Sequence, residues 1–444
     1  METPICDFVR RYAEDRNLRL HMPGHKGVSL LGFESYDITE IQGADSLYEA
    51  DGIIKESEEN ASALFGAHTF YSTEGSSLCI RAMLYLVAQK ARERGEKPLI
   101  LAGRNVHKSF LSAVGLLDLA VEWLYGAGSY LSCSITPTDL DRALTGVAQK
   151  PVAVYLTSPD YLGNTVDVAA LAAICHARDV LLLVDNAHGA YLKFLPVSRH
   201  PIDLGADLCC DSAHKTLPAL TGGAYLHISH RVSGDFAQRA KDALALFGST
   251  SPSYLILQSL DAVNAYLADG YAGRLAEFVR QVQSCKQRLA AAGYALCGDE
   301  PLKLTIRTKP YGYRGGELAD LLLKNGIVCE FYDPDHVVFM LTPQVGSDGL
   351  CRLTETLCDL PGRAPVTEEP PRLARPKQVL SAREAILAPS ERLPAEKCLD
   401  RILAVATVGC PPAVPIVCCG ERIDESAIRA FRYYGVTACA VVKP

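Results

Sequence analysis

Continuous apolar segments alternate with helical patterns along much of this 444-residue chain. One unit contains the β-rich segment PVAVYLTSP (151–159), the helical pattern DVAALAAICHARD (167–179) and the apolar segment VLLLVD (180–185). Strands that are apolar along their whole length are typical of a parallel sheet whose two faces are both covered by helices. The alternation therefore predicts an α/β fold with an open, mostly parallel sheet.

This pattern extends over residues 46–255, which we expect to form one large α/β domain after an N-terminal segment, 1–45. Its further members are a helix at 76–95 and strands at 99–103, 120–126, 207–213 and 224–229.

Residues 256–360 predict a smaller α/β domain. Long helices are expected over 256–292, with a break near Asp269-Gly270. They are followed by strands at 302–308, 327–333 and 337–343, and by a helix at 315–326 that ends at a glycine. Five prolines within 361–376 predict a linker, and 377–444 would then form a small C-terminal domain.

The charge and cysteine content exclude several classes of protein. The 44 basic and 51 acidic side chains give a net charge of −7, which does not suggest a nucleic-acid partner. No apolar segment is long enough to span a membrane, and the charged N-terminus does not resemble a secretory signal. The 16 cysteines are scattered without a CxxC pair, so we expect reduced thiols and a cytoplasmic location.

Polar side chains follow the strand VLLLVD. Asp185 lies at the strand end, where open α/β sheets bind ligands, and it would either cap the next segment or bind a ligand. The sequence DNAHGAY (185–191) favours a ligand, since Ala187 and Gly189 leave room for a flat molecule and His188 adds a polar contact.

A lysine in apolar surroundings follows in DSAHKT (211–216), together with Ser212 and His214. A loop lysine is usually solvated, but apolar neighbours disfavour the ammonium form and lower the pKa of a lysine. Lys215 therefore suits a Schiff base, because the free amine is the nucleophile.

Two further motifs lie at the ends of predicted elements: YSTEGSS just before the helix at 76–95, and RNVHKS just after the strand at 99–103. In YSTEGSS (71–77), Ser76 and Ser77 would either cap the helix or bind phosphate through hydroxyls and backbone N–H groups. In RNVHKS (104–109), His107 would either be structural or stack on a planar ring. Pyridoxal phosphate (PLP) uses all these pieces, since it needs a lysine, a carboxylate for its pyridine nitrogen and a phosphate site.

The chain resembles the ornithine/lysine/arginine decarboxylases of fold type I, in the short form without an N-terminal wing domain. The resemblance covers nearly the whole chain. It rests on RNVHKS and SAHKT among the motifs above and on the similar segments LHMPGHKG (20–27), STSPSY (249–254), VLSAREAILAPSERLP (379–394) and PPAVPIVCCGERI (411–423).

This resemblance implies a role for each matching residue. Lys215 would bind the cofactor as a Schiff base, Asp185 would pair with the pyridine nitrogen and His107 would stack on the ring. Ser76, Ser77, Ser212 and His214 would contact the phosphate in their own subunit. Ser249 or Thr250 would reach the phosphate bound in the neighbouring subunit of a homodimer. The implied reaction is decarboxylation of arginine, lysine or ornithine.

Several positions depart from the family pattern. Asn186 replaces the glutamate of DEAHG, Ala413 replaces the glycine of PPGIP, Cys419 replaces a proline and Ser76 replaces a threonine. Ser76 should preserve the hydrogen bonding of the threonine, but Asn186 and the C-terminal changes leave the substrate open, and with it the alternatives of an aminotransferase, a lyase or a PLP-binding protein without activity. Intact Lys215, Asp185 and His107 argue against the last.

We expect no metal site and no nucleotide site. His21 and His25 have the spacing of a metal pair, but Pro23 and Gly24 disfavour the helix that such a pair uses. Neither a GxGxxG motif nor a P-loop occurs.

Overall fold

The computed structural model describes residues 1–15, 17–126, 134–408 and 414–444. The strands in this part of the chain are β1 (His68–Ser72), β2 (Leu99–Gly103), β3 (Ala120–Leu124), β4 (Ala153–Thr157), β5 (Leu181–Asp185), β6 (Leu208–Asp211), β7 (Ala224–Ile228), β8 (Ala295–Cys297), β9 (Lys303–Arg307), β10 (Phe331–Tyr332), β11 (His336–Met340), β12 (Ser390–Pro394), β13 (Thr407–Val408), β14 (Val417–Cys418) and β15 (Ala438–Val442).

The α-helices in the same residues are α1 (Pro4–Glu14), α2 (Ile53–Phe65), α3 (Ser76–Glu93), α4 (Lys108–Leu117), α5 (Pro137–Gly146), α6 (Val168–His176), α7 (Ala213–Thr216), α8 (Gly234–Gln238), α9 (Ala240–Ala245), α10 (Tyr254–Ala268), α11 (Tyr271–Ala291), α12 (Gly315–Lys324), α13 (Gly346–Cys358), α14 (Ala382–Leu387) and α15 (Glu425–Tyr434). None of them has the length and hydropathy needed to cross a membrane.

One compact unit comprises Met1–Gln89 and Leu181–Leu275. Its strands lie in the order β1-β7-β6-β5, with β5 parallel to β6 and β7 antiparallel to both of its neighbours. The predicted strand at 224–229 is thus confirmed, but it runs against the expected parallel direction. The physical reason is the short connection from β6, which contains only the single-turn helix α7 instead of a full crossover.

The other compact unit comprises Lys90–Val180 and Ala276–Pro444. It contains the parallel strands β4-β2-β3 and an antiparallel sheet in the order β10-β11-β9-β8. Two smaller antiparallel pairs, β12 with β15 and β13 with β14, lie in its C-terminal part. The chain therefore has an α/β fold whose main strands are mostly parallel.

Most predicted elements are confirmed, including the helices at 76–95 and 167–179 and the break between α10 and α11, where Gly270 has a left-handed φ of +66°. The strand predicted at 327–333 is largely wrong, because only Phe331–Tyr332 pair. The Ile327 N–H instead donates to Leu322 O and completes the end of α12.

Residues 361–376 form no helix or strand, which agrees with their proline content. The predicted domain boundaries stay predictions.

Candidate active site

A tight turn, residues 72–77 (the serine turn), connects β1 to α3. The Ser72 hydroxyl donates to Gly75 O over 3.0 Å, and Gly75 takes a left-handed φ of +70° that favours glycine. Ser76 is the first residue of α3, which is 18 residues long. The unpaired N–H groups and the dipole at such a helix start attract anions.

Ser212 meets this turn from the end of β6. Its hydroxyl donates to the Ser76 hydroxyl over 2.8 Å, and both side chains are buried. Ser77, the second residue of α3, is half-buried. Two predicted phosphate contacts, Ser76 and Ser212, are therefore adjacent.

His214 lies beside the serine turn, with its Cε1 4.0 Å from the position that a Cβ on residue 75 would occupy. Its Nδ1 donates to Gly223 O over 2.9 Å. Burial lowers the pKa of His214 and Lys215 lowers it further, although the bond to Gly223 opposes both effects. A neutral ring with its proton on Nδ1 must gain a second proton on Nε2 before it can donate to a phosphate.

Lys215 lies in the single-turn helix α7. Its Nζ is 3.2 Å from His188 Nε2, with His188 buried and Lys215 half-buried. Two residues predicted from separate motifs are thus brought together, and the amine has an imidazole within reach for proton exchange. The lowered pKa of Lys215 stays a prediction.

Asp185 is the last residue of β5 and is only 2% exposed. Its Oδ1 accepts the Ala187 N–H over 3.2 Å, so the carboxylate does stabilise the following turn. This capping contact was one of the two alternatives for Asp185. Pairing with a ligand stays a prediction.

The reason expected for Gly189 is wrong. A Cβ at this position would lie 2.0 Å from Asn186 Oδ1 and 2.8 Å from Leu192 Cδ1. The glycine therefore makes room for the buried Asn186 amide, and not for a flat ligand. Asn186 Nδ2 in turn donates to Asp211 Oδ1 over 2.7 Å.

Asp211 is the centre of a buried network that the sequence analysis missed. Its Oδ2 accepts from His200 Nε2 at 3.0 Å and from His227 Nε2 at 3.1 Å, and all three side chains are fully buried. Burial alone would raise the pKa of Asp211, but the two imidazoles hold it well below its usual range. Burial lowers the pKa of His227. No local sequence signal connects these residues.

His107 belongs to the second unit, where it is the N-cap of α4. Its Nδ1 accepts from the Ser109 N–H at 3.3 Å and from the Ser109 hydroxyl at 2.9 Å. His107 therefore has the structural role that was one of its two alternatives, since it caps α4. These bonds also fix the direction of its ring. Stacking on a cofactor stays a prediction.

Ser249 and Thr250 are exposed in the loop between α9 and α10. The Ser249 N–H donates to Glu74 Oε1 over 2.5 Å, which attaches this loop to the serine turn of its own chain. A contact with a second subunit stays a prediction. Of the C-terminal signature 411–423, the positions up to and including Ala413 lie outside the described residues.

Comparison with known proteins first defines the class. The chain superposes on the lysine decarboxylase LdcF of Francisella novicida with a TM-score of 0.81 over 99% of this chain and 81% of that one, at 17% identity. An SPT structure that contains PLP matches 69% of this chain and 75% of its own, with a TM-score of 0.54 and 13% identity. The fold is that of the fold type I enzymes.

The family follows from sequence. Residues 3–297 match the family described as Orn/Lys/Arg decarboxylase, major domain, and the chain belongs to this family of decarboxylases. An arginine decarboxylase of Halalkalibacterium halodurans is 31% identical over 97% of this chain and 93% of its own length. The lysine decarboxylase LdcA of Pseudomonas aeruginosa is 25% identical over 52% of this chain and 33% of its own.

Proposed function

We propose that this protein uses PLP to decarboxylate arginine, lysine or ornithine to the matching amine. One observation carries the proposal. A single turn after β6 presents both the Lys215 amine, 3.2 Å from His188, and the Ser212 hydroxyl, which is bonded to the first residue of α3. Family membership and the arginine decarboxylase relative support the reaction class.

The donor set suits each part of the cofactor. The Ser76 hydroxyl at the start of α3 and the Ser212 hydroxyl bonded to it suit a phosphate dianion. The buried carboxylate of Asp185 suits a protonated ring nitrogen. The Lys215 amine suits the aldehyde.

Each residue then has a defined task. Bound PLP supplies an electron sink for the charge left on Cα when CO2 departs. Asp185 would hold a proton on the ring nitrogen, Lys215 would anchor the cofactor, and His188 would exchange a proton with Lys215 Nζ. The phosphate would be held by Ser76, Ser77, Ser212 and His214, and His107 would lie on the ring face.

We further propose that the enzyme is a cytoplasmic homodimer whose interface includes the apolar segment, residues 18–36. This segment is polar inside and apolar outside: the buried Glu34 carboxylate accepts backbone N–H groups of residues 30–33. Its outward side chains, between 42% and 83% exposed, are Leu18, Leu20, Met22, Val28, Leu30, Leu31, Phe33 and Tyr36. Apolar side chains exposed together in one segment favour an interaction site.

The test of the reaction is product identification. Purified protein with PLP is incubated with a panel of amino acids, and the products are identified by mass. We expect CO2 and the matching amine in equal amounts from a basic amino acid. Pyridoxamine phosphate with a keto acid and without CO2 would indicate an aminotransferase, and bound PLP without any turnover would indicate a binding protein.

A further inference from the structure

We propose that the C-terminal region, residues 377–408 and 414–444, positions His107 by holding both ends of the segment that carries it. This segment, residues 104–117, runs from the end of β2 through α4. The proposal rests on the proposed function for the role of His107. It makes Arg104, Glu421 and α14 positioning elements that touch neither substrate nor cofactor.

The first attachment is a buried ion pair. Arg104 Nη1 donates to Glu421 Oε1 over 2.8 Å, and Nη2 donates to Glu421 Oε2 over 2.7 Å. The two side chains are 0% and 1% exposed. A two-point contact between planar groups fixes orientation as well as distance. Because desolvation is costly, such a pair is weak evidence for a purely stabilising role, and in the proposal its role is to fix the arrangement of the two segments.

Both partners of this pair make a further contact that restrains them. Glu421 Oε2 also accepts the Cys418 N–H over 2.7 Å. The Arg104 guanidinium carbon lies 4.8 Å from the centroid of the Trp123 ring. Asn105, the next residue along, donates from Nδ2 to Thr157 O over 3.3 Å. The backbone that leads to His107 is therefore fixed at consecutive residues.

The second attachment is at the far end of α4. A Cβ on Gly115 would lie 2.8 Å from Ile386 Cδ1 of α14, so the glycine permits a close approach of the two helices. Arg383 Nη1 of α14 donates to Leu116 O over 3.1 Å, which satisfies a carbonyl in the last turn of α4.

The two attachments act on His107 through the helix itself. The ring direction of His107 depends on bonds from Ser109 in the first turn of α4. If the Arg104 end or the Arg383 end is released, α4 loosens and this N-cap becomes less well defined. The expected consequence is a mobile imidazole, with the rest of the second unit still folded.

The experiment compares four variants. Glu421→Gln leaves Arg104 buried without a countercharge, whereas Arg104→Met/Glu421→Leu removes both charges and keeps an apolar core, which buried pairs often tolerate. Arg383→Ala releases the far end from an exposed position. Glu391→Gln is the control, since it breaks a C-terminal ion pair with Arg401 outside the segment.

Two measurements use protein without cofactor. Hydrogen exchange of the α4 amides should accelerate by at least about 10-fold in the first three variants and stay within about 2-fold in the control. The emission of Trp123, the single tryptophan of the chain, should change in the two variants that alter the Arg104 contact. With PLP, the visible absorbance band should shift and kcat should fall about 10-fold or more, while KM changes less.

The outcomes separate the hypotheses. If Arg104→Met/Glu421→Leu is folded and the hydrogen exchange of its α4 amides is unchanged, the proposal is wrong. Faster exchange with an unaltered PLP spectrum and unaltered kcat would also overturn it, because the region would then be merely structural. If the wild-type protein binds no PLP, the proposed function fails and the proposed positioning of His107 on a cofactor fails with it. If PLP binds but a different reaction occurs, only the assigned reaction fails, and the exchange and absorbance measurements still decide the positioning role.

Discussion

At the scale of single residues, hydrogen-bond chemistry decides what position 186 can hold. Asn186 Nδ2 lies 2.7 Å from an oxygen of Asp211, whose other oxygen is occupied by two imidazole N–H groups. An amide can donate here, but a carboxylate would face another carboxylate in a buried site. The departure from the DEAHG pattern therefore matches the presence of Asp211 in this chain.

Asn186→Asp should accordingly destabilise the protein by about 3–5 kcal/mol at pH 7, as expected for an uncompensated buried charge. Asn186→Ala should cost only about 1–3 kcal/mol, since it removes one hydrogen bond. The difference in stability between the two variants should become smaller at low pH. Repulsion raises the pKa of the two adjacent carboxyls, and protonation of one of them removes the repulsion. Urea unfolding of both variants at pH 7 and pH 5 measures this, and equal stabilities at pH 7 would contradict the repulsion.

Lys215 is the residue on which the cofactor assignment depends. Lys215→Ala should abolish covalent fixation of PLP by borohydride while some non-covalent binding persists at the serine turn. Lys193→Ala is a suitable control, since Lys193 lies in the same unit and pairs with Asp203 at 2.6 Å. Peptide mapping after reduction identifies the labelled lysine, and a label elsewhere in the wild-type protein would disprove the assignment.

At the scale of elements, local chemistry explains which features the sequence could reveal. The apolar strands β2, β4 and β5 were predictable, because burial on both faces needs an unbroken apolar segment. The direction of β7 was not predictable, since it depends on the length of the connection between β6 and β7. The position of Asp185 at the end of β5 was also predictable from the sequence. By contrast, Arg104 and Glu421 are 317 positions apart, and no local pattern reports their contact.

The turn between β10 and β11 provides a pH-sensitive element. Asp333 Oδ1 accepts the backbone N–H groups of Asp335 and His336, both at 2.7 Å, and lies 3.3 Å from His336 Nδ1. Burial alone would lower the pKa of His336, but bonds to Asp333 and Cys297 raise it to about 9. A raised pKa means that the folded state favours the protonated form.

The free energy of unfolding should therefore carry a contribution from His336 that is complete below pH 6.5 and is lost as pH rises through about 9. We expect this loss to be no more than about 3 kcal/mol, and His336→Gln should remove it. Urea unfolding followed by Trp123 emission, in the same unit, measures both proteins from pH 6.5 to 9.5. A wild-type pH dependence that persists in the variant would exclude His336 as its source.

At the scale of the whole molecule, the exposed apolar side chains of the apolar segment support the proposed self-association. The chain carries a net charge of −7, whereas the apolar segment contains Arg19, His21, His25 and Lys26 with no acidic residue before Phe33. Because a two-fold interface brings the same segment of both copies together, these basic side chains would have to contact acidic side chains outside the segment on the second copy. The orderly hydrogen bonds within the segment, such as Arg19 Nη2 to Ser35 O at 3.0 Å, fix its shape before any partner binds.

Leu30→Glu/Leu31→Glu should convert the proposed homodimer into a monomer with a mass near the 48.0 kDa of one chain, because charges would be buried at the interface. Val197→Glu, at an exposed apolar residue outside the apolar segment, is the control and should stay dimeric. Size-exclusion chromatography with light scattering gives the masses.

If Ser249 or Thr250 of one subunit completes the phosphate site of the other, the monomeric variant should also bind PLP at least about 10-fold more weakly. A monomer that retains full PLP affinity would place the whole phosphate site within one chain.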